Sequence, residues 1–316
     1  NQLFLAFLTI AIFITCTSTA KQRPEGGWLW KISGNGLSHP SYLFGTYHGT
    51  YDILYQYTDS IPELHQAFNA CSQFAGESET TSKPTPAQVG AAIKLPKDTT
   101  YADLLNKEDF HFLDSIVRQS LKSPLNKVYI KPNFLALILG EIEKGKKLVD
   151  TGYSQSRIDS MKSQVMDIAL EKKAKEKGLT IVGLEGIFDA FVSEKSNLKK
   201  EADELISDLR EDDEISPLSF VNTLSDVYRT QNMKSLIDFE VKVDSIFRTS
   251  PKLTEIGKRI REDLLKRRNL NWMNKIPELM KAQPTFIAVG VRHLPGKDGL
   301  IALLLEKGYQ VEPIGL

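Results

Sequence analysis

Cysteine is almost absent from this chain of 316 residues: there are two, Cys16 and Cys71. A fold stapled by several disulfides is excluded, and so is a zinc site built from thiolates. Neither sign of charge is in excess, because 40 basic and 40 acidic residues cancel. No long-range positive field exists to gather nucleic acid, and no nucleic-acid partner is expected. GxSxG, Walker and GxGxxG motifs are also missing, so neither a nucleophile elbow nor a phosphate-cradling loop is signalled.

Long apolar runs are missing apart from one. "LFLAFLTIAIFIT", Leu3 to Thr15, falls short of the roughly 20 residues that span a membrane. Ser18 and Ala20 supply the small residues ahead of a signal-peptidase cut, which predicts a signal peptide over 1–20 and one domain over 21–316. Cys16 gives the same segment a second reading, as the acylated residue of a lipid anchor. The expected location is the periplasm, or the bacterial cell envelope by lipid attachment. Once the leader is cut, Cys71 stands alone and reads as a small buried apolar residue.

What is present is an alternation of strand-like ends and helical middles. "WLWKIS" and "YLFGTY" read as two strands joined through Asn35-Gly36 and Pro40. Ile61 to Ala70 has helical spacing, and Ser72 to Glu77 reads as a short strand. Ser78 to Thr100, rich in Thr, Pro, Lys and Ala, reads as loop. From Tyr101 to Lys177 apolar residues recur at helical intervals, until Gly178 and the strand-like "LTIVGLEG". The charge-dense stretch 194–216 reads as a solvated helix face and loop. Phe220 to Lys281 is helical with breaks near Pro251 and Pro284, and the chain closes as strand, helix, strand. The expected class is α/β, with a central mixed sheet formed from both ends of the chain and a large helical insertion.

Two short motifs stand apart from packing. "GTYH" puts His48 just after one apolar run, and "GVRH" puts His293 just after another. Glu77 and Glu185 likewise follow "QFAG" and "TIVGL". If these strands are parallel neighbours, two imidazoles and two carboxylates converge at the carboxyl edge of the sheet, where open α/β sheets bind ligands. Such a set suits a divalent first-row ion with open positions, which would make bound water a nucleophile near neutral pH. A spare carboxylate would then act as base. Arg268, in "LLKRRNLNWMNKI", has a planar fork able to hold a substrate carboxylate or phosphate, and Arg268-Asn269 reads as a helix boundary. Asp167 reads either as an exposed helix residue or as the buried partner of a cation. His39, His65 and His111 read as surface residues.

"WLWKISGNG…YLFGTYHG", "VGLEG", "RRNLNWMNKI" and "FIAVGVRHLPGKDGLIALLLEKGYQVEPI" together resemble the TraB/GumN family, which includes the Tiki ectodomains, over about Trp28 to Pro313. The resemblance implies a metal-dependent protease using manganese or cobalt, zinc being a further candidate. His48, His293 and Glu185 would hold the ion, Glu77 would be the base, and Arg268 with Asn269 would orient the substrate. A distant likeness to erythromycin esterases implies an alternative, a hydrolase in which His and Glu activate water without metal. A non-catalytic periplasmic protein that binds or sequesters a ligand in the same cleft is a third reading. Arg292, between Gly290 and His293, sets a cation beside the proposed metal site unless its side chain points away. The expectation is an exported hydrolase acting on a peptide or small amide-like substrate.

Overall fold

The computed structural model describes residues 26–47, 62–79, 84–150, 152, 154, 156, 165–186, 188, 197–210 and 217–315. The expected leader and its Cys16 lie outside these residues, as does His48. Among the described residues no helix is long and apolar enough to cross a membrane.

Six strands form one mixed sheet in the order β4-β3-β5-β2-β1-β6. Their ranges are β1 Leu29–Ser33, β2 Ser41–Thr46, β3 Gln73–Gly76, β4 Thr180–Gly183, β5 Thr285–Gly290 and β6 Gln310–Pro313. β5 is buried along its whole length, as an unbroken apolar run requires when helices cover both faces of a sheet. It lies between β2 and β3 and runs parallel to both, and β4 continues the parallel set beyond β3. β1 turns back antiparallel against β2, and β6 pairs antiparallel with β1. The β1–β2 reversal uses Asn35 and Gly36, both with positive φ (45° and 78°), the conformation that made Asn-Gly legible as a turn. Both ends of the chain thus build the sheet.

The helices occupy the connections between parallel strands. Between β3 and β4 come α2 (Pro86–Ile93), α3 (Tyr101–Leu104), α4 (Lys107–Leu121), α5 (Pro132–Asp150) and α6 (Met166–Glu176). α1 (Pro62–Asn69) precedes β3. Between β4 and β5 come α7 (Leu198–Arg210), α8 (Pro217–Arg229), α9 (Met233–Phe247) and α10 (Pro251–Arg259). They are followed by a π-helical segment (Ile260–Lys266), then α11 (Arg267–Trp272) and α12 (Ile276–Ala282). α13 (Leu300–Glu306) precedes β6.

α2 corrects the loop expected over Ser78 to Thr100. Thr85 and Gln88 form a reciprocal capping box, with Pro86 in the first turn. The Thr and Pro that suggested a loop are the start of a helix. α2 buries no residue, so it carries no amphipathic stripe to betray it.

Apolar side chains gather in two clusters. One surrounds the sheet and holds Phe68, Phe74 and Phe286, with Phe74 stacked on Phe286 at 6.3 Å between ring centroids. The other lies among α3, α4, α5 and α7, around Tyr101, Leu113, Val117, Leu135, Leu139 and Leu205. Cys71 is buried in the sheet cluster, and burial pushes its thiol pKa up to about 12. The charge-dense helix α7 turns Ala202, Leu205 and Ile206 into the second cluster and leaves Asp203, Asp208 and Arg210 exposed, while Glu201 lies partly buried with its charge felt by Tyr101.

Candidate functional site

The parallel strands β2, β5, β3 and β4 end side by side. Gly76, the last residue of β3, is level with Gly183 of β4 and Ala288 of β5. The pairing extends one step past the strands: the Glu185 N–H donates to the Glu77 carbonyl at 2.8 Å. The two acidic residues therefore leave the sheet as neighbours. Glycine matters here for space. A Cβ on Gly183 would stand 3.0 Å from both the Glu185 oxygen and the Glu79 nitrogen, and one on Gly45 would stand 2.8 Å from Cγ2 of Val291. β2 can therefore press directly on the turn Val291–His293 that follows β5.

The guanidinium of Arg268 sits among the acids. Its Nε donates to Glu185 at 3.0 and 3.1 Å, and its Nη2 reaches Glu185 Oε1 and Glu77 Oε2, each at 2.5 Å. Nη1 lies 3.2 Å from Nε2 of His293. Glu77 Oε1 accepts the Gly290 N–H at 2.7 Å, and Glu185 Oε2 accepts the Trp272 indole N–H at 3.0 Å. The Trp272 ring also lies 4.7 Å from the guanidinium carbon and 4.5 Å from the His293 ring, closing one side of the cluster.

Asn269 determines the state of His293. Its Nδ2 donates to the carbonyls of His293 (3.2 Å) and Asp298 (2.8 Å), which are acceptors only, so its Oδ1 must be the atom 2.7 Å from His293 Nδ1. Nδ1 therefore carries the proton, and in the neutral ring Nε2 keeps its lone pair facing Arg268. Nε2 also lies 3.8 Å from Glu77 Oε1. Burial works against the charge of Arg268, but the charge of Glu77 and the hydrogen bonds and charge of Glu185 outweigh it and raise its pKa. With neutral His293, two carboxylates and one guanidinium leave the cluster with one net negative charge.

These groups do not fit a divalent ion as they stand. An ion bound by His293 Nε2 and the carboxylates would lie about 2.0–2.2 Å from each donor. The guanidinium already engages Nε2 and three of the four carboxylate oxygens, with its hydrogens aimed at the lone pairs an ion would use. A dication there would face a fixed cation at contact distance. Among the described residues no group of three or more His, Cys, Asp or Glu side chains is placed to hold a metal ion.

A model of the TraB/PrgY/gumN family matches residues 28–313. The chain belongs to that family. No curated protein and no solved structure matches it.

In this TraB/PrgY/gumN member, five of the six expected site residues, Glu77, Glu185, Arg268, Asn269 and His293, form one connected network, and the sixth, His48, lies outside the described residues. Arg268 and Asn269 do not mark a helix boundary. They lie inside α11, which continues the π-helical segment, and the helix stops at Trp272. Arg292 points away from the cluster to Glu240. Asp167, in the first turn of α6, accepts a hydrogen bond from the Thr46 hydroxyl at 2.8 Å. His39, His65 and His111 are exposed. Sequence reasoning missed the site roles of Trp272, the Gly290 amide and Glu240. Trp272 had a usable signal: four residues after Arg268, it must share that residue's helix face.

Proposed function

We propose that the chain is an exported hydrolase that activates water with Glu77 and His293, without a bound metal ion, on a peptide or small amide-like substrate. The observation that carries this reading is the pair of acceptors 3.8 Å apart, His293 Nε2 and Glu77 Oε1, beside a guanidinium. Once Arg268 Nη1 turns away from Nε2, two acceptors at that spacing suit the two hydrogens of one water molecule and leave its lone pair free to attack. Asn269 keeps the His293 proton on Nδ1, so Nε2 can only accept. Glu77 is the most exposed of the four ionisable groups in the cluster and takes the proton as the carbonyl is attacked. Arg268 Nη1, released from Nε2 as the water binds, donates to the developing oxyanion, and the raised pKa keeps that proton on the guanidinium. Glu77 then returns its proton to the leaving nitrogen. Export is supported by the apolar run before Ser18 and Ala20.

A second reading, a binding protein without turnover, is favoured by the mutual pairing of the cluster's charged groups. One experiment separates the two. A library of peptides, amides and esters is incubated with purified protein, with and without EDTA, alongside Glu77→Gln and His293→Ala. Turnover should survive EDTA and fall by about 10²–10⁴-fold in Glu77→Gln. Turnover abolished by EDTA and restored by Mn²⁺, Co²⁺ or Zn²⁺ would return the site to metal chemistry. Ligand capture without any turnover would leave the binding protein.

A further inference from the structure

Helix α9 carries two carboxylates four residues apart, Glu240 and Asp244, which therefore share a face. Each holds an arginine from a different part of the site. Glu240 meets Arg292 fork to fork, Nε to Oε1 at 2.5 Å and Nη2 to Oε2 at 2.8 Å. Arg292 immediately precedes His293 in the turn Val291–His293. Asp244 takes Nη1 of Arg261, in the π-helical segment that leads into Arg268. The turn that bears His293 and the helix that bears Arg268 are thus tied to one face of a third helix.

We propose that α9 is a brace for the site, in which Glu240, and secondarily Asp244, positions His293 Nε2 against Arg268 Nη1. The two pairs are unequal. Arg292 and Glu240 are 18% and 26% exposed and bidentate, a geometry that fixes direction as well as distance. Arg261 and Asp244 are 42% and 35% exposed, where solvent weakens an ion pair. α9 does not need either pair to dock, because Met233, Leu236, Phe239 and Val243 are already buried. What the pairs add is orientation. Glu240 touches no reacting atom in this scheme and acts through Arg292 on the turn. The brace deepens the hydrolase reading and takes its catalytic meaning from it, but its geometry can be tested without turnover.

The chain has five histidines, few enough for the imidazole of each to be followed by long-range ¹H–¹⁵N NMR of the full protein without ligand. The His293 signal is the one lost in His293→Gln. In the wild type it should report a single tautomer protonated on Nδ1. Glu240→Ala, and the shape-preserving Glu240→Gln should the first fold poorly, should move or split that signal and leave the other imidazoles in place. The charge-reversed pair Glu240→Arg with Arg292→Glu should restore it. A His293 signal unchanged in Glu240→Gln and Glu240→Ala overturns the brace, as does one that moves but is not restored by the reversed pair. The result is read from the imidazole whether or not any peptide is cleaved, so failure of the brace and failure of the hydrolase reading remain distinct.

Discussion

At the scale of the residue, the site is organised around Arg268. Two carboxylates at neighbouring strand ends repel each other, and the guanidinium between them permits both to stay charged in a largely buried place. Replacing it should therefore cost far more than an exposed ion pair would. Arg268→Met is expected to destabilise the protein by about 3–5 kcal/mol at pH 8, measured by urea titration, because it strands two buried like charges. The pH dependence has a definite sign. Without the guanidinium, one carboxylate has a folded-state pKa above its unfolded value near 4.3, so its contribution is intact below that value and is lost as pH rises through the raised one. The variant's deficit should thus shrink on going from pH 8 to pH 5. Wild-type Arg268 adds no slope there, since its raised pKa lies far above the range. A deficit that grows toward acid would refute this account of the cluster.

At the scale of the element, glycine and a widened helix do the aiming. β2 lies against the turn that carries His293 because Gly45 has no side chain. Gly45→Ala should cost about 1–3 kcal/mol by overpacking against Val291 and should displace His293, read as a lower melting temperature together with a shifted imidazole signal. The π-helical segment Ile260–Lys266 changes the facing of everything after it. An α-helix turns about 100° per residue, so deleting one residue from this segment should rotate Arg268 and Asn269 away from Glu185 and His293. That variant should keep its helix content by circular dichroism and lose the Nδ1–H signature of His293. Much of this level was legible in the sequence. The unbroken apolar "TFIAVG" announced a strand, Asn35-Gly36 announced a turn, and Pro251 announced a break in the helical stretch, where Ser250 caps the start of α10. What was not legible depended on distant parts of the chain. Arg268 is 83 residues from Glu185 and 191 from Glu77, and no local pattern encodes their contact. The π-helical segment leaves no periodic mark because it is short, and the direction of Arg292 was left open because its partner Glu240 belongs to a different helix.

At the scale of the whole molecule, two apolar clusters share the work of stability unevenly. Trp28, Trp30 and Trp272 all belong to the cluster around the sheet, whereas the cluster of α3, α4, α5 and α7 contains no tryptophan. Tryptophan fluorescence therefore follows the sheet, while circular dichroism at 222 nm weighs the helices. In a urea titration the dichroism transition should begin at lower denaturant than the fluorescence transition, because among the described residues the helical cluster has fewer buried members and only an isolated bridge, Lys94 to Ile130, in place of a sheet. Coincident curves would show instead that the two clusters melt as one unit. The place of β5 in the sheet also has a temporal side. It is the strand that joins β2 to β3, and it begins only at Thr285. A ribosome adding about 5–20 residues per second reaches it only after the other three parallel strands have been made. Until then the β1–β2 hairpin and the β3–β4 pair have no strand to bridge them, and His293 has not been translated. Whatever this site does, the nascent chain cannot do it early.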